Sequence, residues 1–337
     1  MSEQRLVYID VIRGLAILMV VINHVIGFSF GINTTSDIGV WSLTRLIQIP
    51  LFFVVSGFCF YDKFASIPTK NIFSFLRSKF LVYCISPLIF LYFYVNFNPE
   101  VFIQALQNDY KFGYWFTITL YIFMIISLGT RFIPKMRLLT LTIFSLILLL
   151  AVTLLNTHYL SKWHEVWMDV VGFPHFPMLL FFVMGLGIKK NYSCFETLFL
   201  NSKIVLFIVL GFIVFGTIAL YWYHPIFTKL INVVYPIFAV LTIFHIAKVY
   251  ESIFGETLIG KILQIIGKNT LPIYFIHFFF LDSGLNFVGL YWKNFHSPFL
   301  LILVAFIVAS IFVFMSITVG YVISSSRILG LYLFGKK

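Results

Sequence analysis

The stretch Tyr8–Phe30, YIDVIRGLAILMVVINHVIGFSF, constrains the fold more than any other part of the sequence. It is apolar enough to cross a bilayer, which takes about 20 such residues. It nevertheless carries Asp10 and Arg13 near its start and His24 well inside it. An ionisable side chain within a membrane is costly, and it usually faces the interior of a helix bundle, where it marks a pathway or a reaction centre. The stretch therefore predicts a first transmembrane helix around which the other spans pack.

Arg13 and His24 are eleven residues apart, which is roughly three helical turns and a rise of about 16 Å. Both side chains therefore lie on one stripe of the helix, with His24 near the bilayer centre if Arg13 lies at a membrane surface. A structural interpretation stands beside the functional one. Asp10 and Arg13 could form an ion pair at the helix start, with the arginine reaching the headgroups. His24 could bond a carbonyl of a neighbouring helix.

Composition places the whole chain in a membrane. Of the 337 residues, 61% are hydrophobic and only 10% are charged, and the mean hydropathy is +1.01, which excludes a soluble domain. We predict an all-α fold: a polytopic transmembrane helix bundle of about ten spans, without a soluble domain, in which residues 1–337 form a single transmembrane domain. The predicted spans are 9–30, 46–62, 80–97, 114–132, 138–156, 175–189, 203–223, 230–249, 270–290 and 299–324.

The distribution of positive charge predicts the topology. If the N-terminus is inside, the outer segments carry only five of the 23 lysines and arginines, namely Arg45, Lys111, Lys162, Lys229 and Lys293. This is a strong positive-inside bias, and it predicts that both termini are cytoplasmic, in the inner membrane of the cell. The net charge of +11 is thus a topology signal first and an attraction to anionic membrane lipid second. Nucleic acid is not an expected partner.

Two features, one within span two and one on the predicted inner side, are candidates for ligand binding. Ser56 and Gly57 lie in span two, in LFFVVSGF, where small residues usually allow close helix packing but could also admit a ligand against the backbone. Arg77 and Lys79 belong to a basic segment that precedes span three. Positive-inside bias explains such charges, and phosphate binding from the cytosol would use the same residues.

Two further features lie elsewhere in the bundle. Trp115 opens span four on the predicted outer side, where it is either a residue of the aromatic belt or a stacking platform for a sugar ring. In IGKNTLPIYFIH, Tyr274 and His277 are at positions i and i+3 and predict a second polar stripe at similar depth. Two intramembrane histidines in one bundle favour a functional site over an isolated structural histidine.

These motifs resemble the acyltransferase-3 family of integral membrane enzymes. The resemblance rests on IDVIRGLAILMVVINH with its Arg-x10-His spacing, LFFVVSGF, YWFTITLY and IGKNTLPIYFIH, and it covers nearly the whole chain. It implies an enzyme that moves an acyl group, mostly acetyl, from cytosolic acyl-CoA to an extracytoplasmic hydroxyl, without a metal. One departure is visible: relatives often carry a second basic residue one turn into span three, where this chain has Tyr83.

The resemblance and the residue patterns together imply roles for the candidate residues. The phosphates of acetyl-CoA or another acyl-CoA would be held by Arg13, Arg77 and Lys79, with the pantetheine arm passing Ser56 and Gly57 in span two. His24 would be the reaction centre, either as general base or as acyl acceptor.

An orienting group for His24 would be Asn23, Tyr274 or the Asp10–Arg13 pair. Trp115, Tyr274 and His277 would contact the acceptor, a glycan or lipid-linked saccharide. A proton-coupled transporter is the alternative, although the sequence shows neither an inverted repeat nor paired broken helices.

Overall fold

The structure is a computed structural model that describes residues 6–32, 39–130, 137–155, 169, 172–221, 225–281, 283–295 and 297–335. All regular structure within these ranges is helical, and none of the described residues lies in a strand. The predicted all-α fold is confirmed. The physical reason is that a chain crossing lipid must satisfy its own backbone hydrogen bonds, which a helix does within one segment.

The described ranges contain a succession of α-helices. They are α1 Val7–His24, α2 Thr44–Ser66, α3 Ile72–Phe80, α4 Ser86–Tyr94, α5 Pro99–Gln107, α6 Trp115–Gly129, α7 Arg137–Leu155, α8 Leu179–Lys190, α9 Tyr192–Leu200, α10 Ser202–Tyr221, α11 Pro225–Val249, α12 Glu251–Glu256, α13 Leu258–Lys268, α14 Thr270–Ile276, α15 Asn286–Phe295, α16 Pro298–Ser325 and α17 Arg327–Phe334. Two π-helical segments, Val25–Ser29 and Leu81–Ile85, continue α1 and join α3 to α4.

Six helical stretches are long and apolar enough to cross a membrane, counted over the described residues. They are Val7–Ser29, Gly39–Ser66, Thr69–Tyr94, Ser202–Tyr221, Leu230–Val249 and Pro298–Ser325. Each coincides with a predicted span, and the shorter apolar helices Trp115–Gly129, Arg137–Leu150 and Thr270–Phe280 coincide with three more. A multi-pass membrane protein is therefore confirmed.

Two predicted spans, the sixth and the ninth, are not single continuous α-helices in the structure. The sixth, 175–189, consists of a 3₁₀ segment, Phe173–Met178, followed by the twelve-residue α8. The ninth, 270–290, is not one helix, because α14 passes into a 3₁₀ segment at His277–Phe280 and α15 begins only at Asn286.

The chain divides into two compact units. The first comprises Met1–Val55 and Ser193–Tyr321, and the second comprises Ser56–Tyr192 and Val322–Lys337. Helices α2 and α16 contribute residues to both units. The expectation of one transmembrane domain over 1–337 remains a prediction.

In the first unit, α1 is the central helix. Of its spanning window 72% is buried, against 17% for α10 and 28% for α16, so α1 faces protein where those helices leave most of their surface exposed. Its apolar residues form one cluster with side chains of α13, α14 and α16. Two glycines set the approach of α13: a Cβ on Gly14 would lie 2.1 Å from the Leu263 carbonyl oxygen, and one on Gly267 would lie 1.9 Å from that of Asp10.

In the second unit, α2 packs closely on α8. A Cβ on Gly57 would lie 2.0 Å from the carbonyl oxygen of Phe182, so glycine is what lets the two backbones meet. The ring of Phe60 contacts those of Phe75 and Phe182. An ion pair joins Lys189 of α8 to Asp62 of α2 across 3.6 Å. This unit therefore has its own packed interior.

Candidate active site

His24 lies where the geometry of the first span changes. It is the last residue of α1, and the π-helical segment Val25–Ser29 follows directly. The wider turn is closed by the bond from the Phe30 amide to the Val25 carbonyl, 2.9 Å. Single π turns inside α-helices occur frequently at functional sites, because they rotate the neighbouring side chains relative to the regular helix.

His277 lies at a second change of helix geometry and meets His24. It follows α14 as the first residue of the 3₁₀ segment His277–Phe280. Its Nε2 is 2.9 Å from the Nδ1 of His24, and its Nδ1 is 2.8 Å from the carbonyl oxygen of Ile273. The two histidines, 253 residues apart in the sequence, thus form a hydrogen-bonded pair inside the first unit.

The two imidazole rings meet edge to edge. Their planes differ by 10° and their centroids are 5.2 Å apart. A centroid separation this long beside an N···N distance of 2.9 Å means that the rings lie side by side in nearly one plane, as a linear hydrogen bond requires. His277 is fully buried, whereas His24 is partly exposed, so of the two rings only that of His24 has accessible surface.

Two aromatic side chains contact the pair. The ring of Phe278 is 5.0 Å from that of His24 and 4.2 Å from that of His277. The ring of Phe28, one π turn after His24, lies edge-on to it at 5.5 Å. These apolar walls lower the local dielectric, which strengthens the bond between the histidines.

Asn23 does not orient His24, although the sequence placed it as a candidate. Its Nδ2 donates to Gln48 Oε1 at 2.8 Å and to Thr44 Oγ1 at 2.9 Å, both on α2. Its Oδ1 accepts from the indole of Trp41 at 3.2 Å. Asn23 therefore fixes α1 to the start of α2, immediately beside the reaction-centre candidate.

Asp10 and Arg13 form a separate polar group near the start of α1. Arg13 donates from Nη2 to Thr270 Oγ1 at 2.9 Å, and its Nη1 is 3.9 Å from Asp10 Oδ1. Asp10 is buried, and Arg13 keeps about a third of its side chain exposed. The Thr270 hydroxyl at the start of α14 thus holds the arginine, a contact that the sequence alone did not indicate.

The predicted donor-binding residues of span two lie in the second unit. Ser56 is half-buried on α2, and the next residue, Gly57, packs against the backbone of α8 at Phe182. Helix packing accounts for this glycine. A role of Ser56 and Gly57 in holding the donor remains a prediction.

Arg77 and Lys79 also lie in the second unit, on α3. Arg77 is exposed. The Nζ of Lys79 lies over the rings of Phe75 and Tyr83, 5.8 Å and 5.6 Å from their centroids. Tyr83 therefore contributes a cation–π contact to Lys79. The two aromatic rings restrain the ammonium group, and a role of Lys79 in holding the donor remains a prediction.

Trp115 stacks on a histidine that the sequence analysis did not single out. The rings of Trp115 and His175 are 3.7 Å apart and 20° from parallel, and Trp115 is only 8% exposed. The imidazole therefore covers one face of the indole. The sequence signal was His175 between Pro174 and Pro177, which favours a short rigid turn rather than a regular helix.

A buried lysine lies in the same region. Lys111 donates from Nζ to the carbonyl oxygens of Asp169 and Asn108 at 2.7 and 3.2 Å. Burial lowers the pKa of Lys111, and the nearby carboxylates of Asp109 and Asp169 act in the opposite direction. Lys111 thus ties the segment before α6 to the chain at Asp169.

Comparison with the models of known protein families identifies the family of this chain. The model of the acyltransferase-3 family, described as an acyltransferase domain, matches residues 6–319. No curated protein and no solved structure matches the chain. The matched range contains the Arg13–His24 stretch and His277, and it covers nearly the whole chain, which sets the transporter alternative aside. The protein therefore belongs to the acyltransferase-3 family and is a multi-pass membrane acyltransferase.

Proposed function

We propose that the protein is an O-acyltransferase, in which His24 is the reaction centre. It would take an acyl group, acetyl in the simplest case, from cytosolic acyl-CoA and transfer it to a hydroxyl of an extracytoplasmic glycan or lipid-linked sugar. The observation that carries this proposal is the histidine pair. His24, at the end of the central helix α1, is partly exposed and is bonded at 2.9 Å to the fully buried His277. A paired, accessible imidazole in a membrane span is suited to acid–base or nucleophilic work.

The donor would lie along α1. Arg13 and His24 are separated by about 16 Å of helix, a length similar to that of an extended pantetheine arm. Arg13, supported by Asp10 and Thr270, would hold a phosphate while the thioester reaches His24. Arg77 and Lys79 would add positive charge for the remaining phosphates, and Ser56 and Gly57 would line the donor path. Both termini would then be cytoplasmic, in the inner membrane of the cell.

The reaction balances with His24 as general base. His24 takes the proton of the acceptor hydroxyl while the hydroxyl oxygen forms a bond to the thioester carbon. The C–S bond then breaks, and the coenzyme A thiolate takes the proton from His24. Trp115 and Tyr274 are the proposed acceptor contacts. The same imidazole could instead accept the acyl group before passing it on. Incubation with radiolabelled acetyl-CoA in the absence of an acceptor separates these routes, since only the second leaves label on the protein.

The function is tested on surface glycans. Cells that lack the protein are complemented with the wild type or with His24→Ala, and their glycans are compared by mass spectrometry and NMR. We expect an O-acyl group that is present with the wild type and missing with the variant. Identical glycans in wild-type and deleted cells would contradict a glycan acceptor. Restoration by His24→Ala would contradict the assignment of the reaction centre.

A further inference from the structure

The positions of the protons in the histidine pair follow from a single carbonyl group. A carbonyl oxygen can only accept a hydrogen bond, so the bond between His277 Nδ1 and the Ile273 carbonyl, 2.8 Å long, requires the hydrogen to be on Nδ1. His277 is 0% exposed, and a buried imidazolium without a counterion is costly, which favours the neutral ring. A neutral ring with hydrogen on Nδ1 carries a lone pair on Nε2.

The tautomer of His277 then determines that of His24. Because His277 Nε2 can only accept, the hydrogen of the 2.9 Å bond must come from His24 Nδ1. A neutral His24 with hydrogen on Nδ1 has its own lone pair on Nε2. Within the described part of the chain no protein group is bonded to that nitrogen, and His24 is partly exposed. The nitrogen of His24 that is left without a protein partner is therefore the basic one.

We propose that His277 is a positioning residue: it accepts from His24 Nδ1–H and so presents His24 Nε2 to the reacting groups as the basic or nucleophilic atom. This inference rests on the proposed function, and it replaces the expectation that His277 touches the substrate. Two of the other candidates for this role, Asn23 and Arg13, are occupied elsewhere. Asn23 is bonded to α2. Arg13, which lies about three turns from His24 along α1, is bonded to Thr270 of α14.

The pair also stabilises charge as the reaction proceeds. When His24 Nε2 takes the proton of the acceptor hydroxyl, the ring becomes an imidazolium, and its Nδ1–H bond to His277 becomes charge-assisted and stronger. The interaction is thus stronger in the transition state than in the resting enzyme, which is the condition for accelerating the chemical step. The proton stays on His24 until the coenzyme A thiolate takes it, so His277 gains and loses none.

The test replaces His277 by residues that keep or remove the acceptor. Purified full-length protein in liposomes receives radiolabelled acetyl-CoA and, as acceptor, surface glycan isolated from cells that lack the protein. We expect His277→Leu to lower kcat about 100-fold, the lower end of the contribution of a positioned acid–base group, with an unchanged Kd for acetyl-CoA. His277→Gln places an amide oxygen near the former Nε2, and we expect its kcat to stay within about tenfold of the wild type.

Two controls complete the series. His245→Leu makes the same chemical change on α11, where the imidazole contacts Phe199, and should leave kcat unchanged. His24→Ala reports on the proposed function itself. If His24→Ala is inactive while His277→Leu transfers at the wild-type rate, the positioning role is wrong and the reaction centre stands. If His24→Ala is active, the proposed function has failed.

The inference stays testable if the His277→Leu variant does not fold. Acetyl-CoA binding and thermal stability are measured on every sample, and rates are given per binding-competent protein. If His277→Leu cannot be purified, His277→Gln decides alone: a folded, donor-binding Gln variant whose kcat is about 100-fold down would overturn the inference, since it keeps an acceptor for His24.

Discussion

At the scale of single residues, the chemistry of this protein depends on which imidazole is reachable. His24 and His277 share one hydrogen bond, yet only His24 has exposed surface. Phe28 and Phe278 cover the sides of the pair. A hydrogen bond in such surroundings is stronger than in water, so the buried member can hold the accessible one in a fixed orientation.

The first prediction concerns His24 in vitro. His24→Ala should leave the protein folded and inserted, because it removes a polar side chain from a membrane helix. Acetyl-CoA binding should persist, since the proposed phosphate contacts lie elsewhere. Transfer to glycan should fall by a factor of at least about 100. The measurement is label transfer in liposomes with donor binding on the same samples, and near-normal transfer would refute the reaction-centre role.

The second prediction concerns Arg13, which should affect a different step. Arg13→Ala should weaken acetyl-CoA binding together with turnover, because a charge-assisted contact to phosphate is lost. Thr270→Val removes the hydroxyl that holds the guanidinium at 2.9 Å and should weaken binding in the same direction but less. Donor affinity is measured by equilibrium binding. An Arg13→Ala variant with wild-type affinity and reduced transfer would place the arginine in the chemistry and not in donor binding.

The third prediction concerns Arg77 and Lys79. Changing both to Ala should weaken acetyl-CoA binding and make the remaining affinity less sensitive to salt, because fewer charges attract the phosphates. The matched control changes Lys190 and Lys203, two exposed lysines that also lie on the predicted inner side. Equal effects in the two double variants would mean that Arg77 and Lys79 act only through net charge and topology.

At the scale of elements, the position of the histidine pair depends on how closely α13 approaches α1. Gly14 and Gly267 bring the two backbones together at Leu263 and Asp10. Helix α14, which leads to His277, begins three residues after Gly267. The glycine contacts therefore set the depth at which the second histidine enters the unit.

The fourth prediction follows from this contact. A Cβ on Gly267 would lie 1.9 Å from the Asp10 carbonyl oxygen, which is backbone and cannot rotate away. Gly267→Ala should push α13 from α1 and reduce stability by about 1–3 kcal/mol, the usual cost of overpacking. Thermal unfolding in detergent measures the loss. Gly255→Ala is the control, since a Cβ there meets no atom within 4 Å and should be neutral or slightly stabilising; equal melting temperatures would contradict the packing argument.

At the scale of the whole molecule, burial separates the helices by role. The windows of α10 and α16 leave most of their residues exposed, as lipid-facing helices do, whereas that of α1 is 72% buried. A polar site inside a membrane protein needs such an internal helix, because lipid cannot solvate charge. The Arg13–His24 stripe therefore lies on the helix whose window is the most buried of the six candidate spans found in the described residues.

The fifth prediction concerns topology. The charge bias predicts ten spans and both termini on the cytoplasmic side. Single cysteines at Ser2 and Lys337 would be placed in a variant in which Cys59, Cys84 and Cys194 are replaced. A membrane-impermeant thiol reagent should label both positions only from the cytoplasmic face. Labelling of the two positions from opposite faces would require an odd number of spans.

The sequence by itself determined what depends on local periodicity and composition. The all-α membrane fold follows from apolar runs of spanning length, and the shared stripe of Arg13 and His24 follows from the 3.6-residue turn of one helix. Six long spans appear where the runs predict them. The family resemblance rests on the same motifs.

Only the tertiary structure decided which distant residues meet. The bond between His24 and His277 joins positions 253 residues apart, and no periodicity encodes it. The contacts of Asn23 with Gln48, of Arg13 with Thr270 and of Trp115 with His175 likewise arise from helix packing. The breaks in helix geometry at the two histidines also escaped the sequence, because hydropathy reports that a segment is apolar and not how its backbone turns.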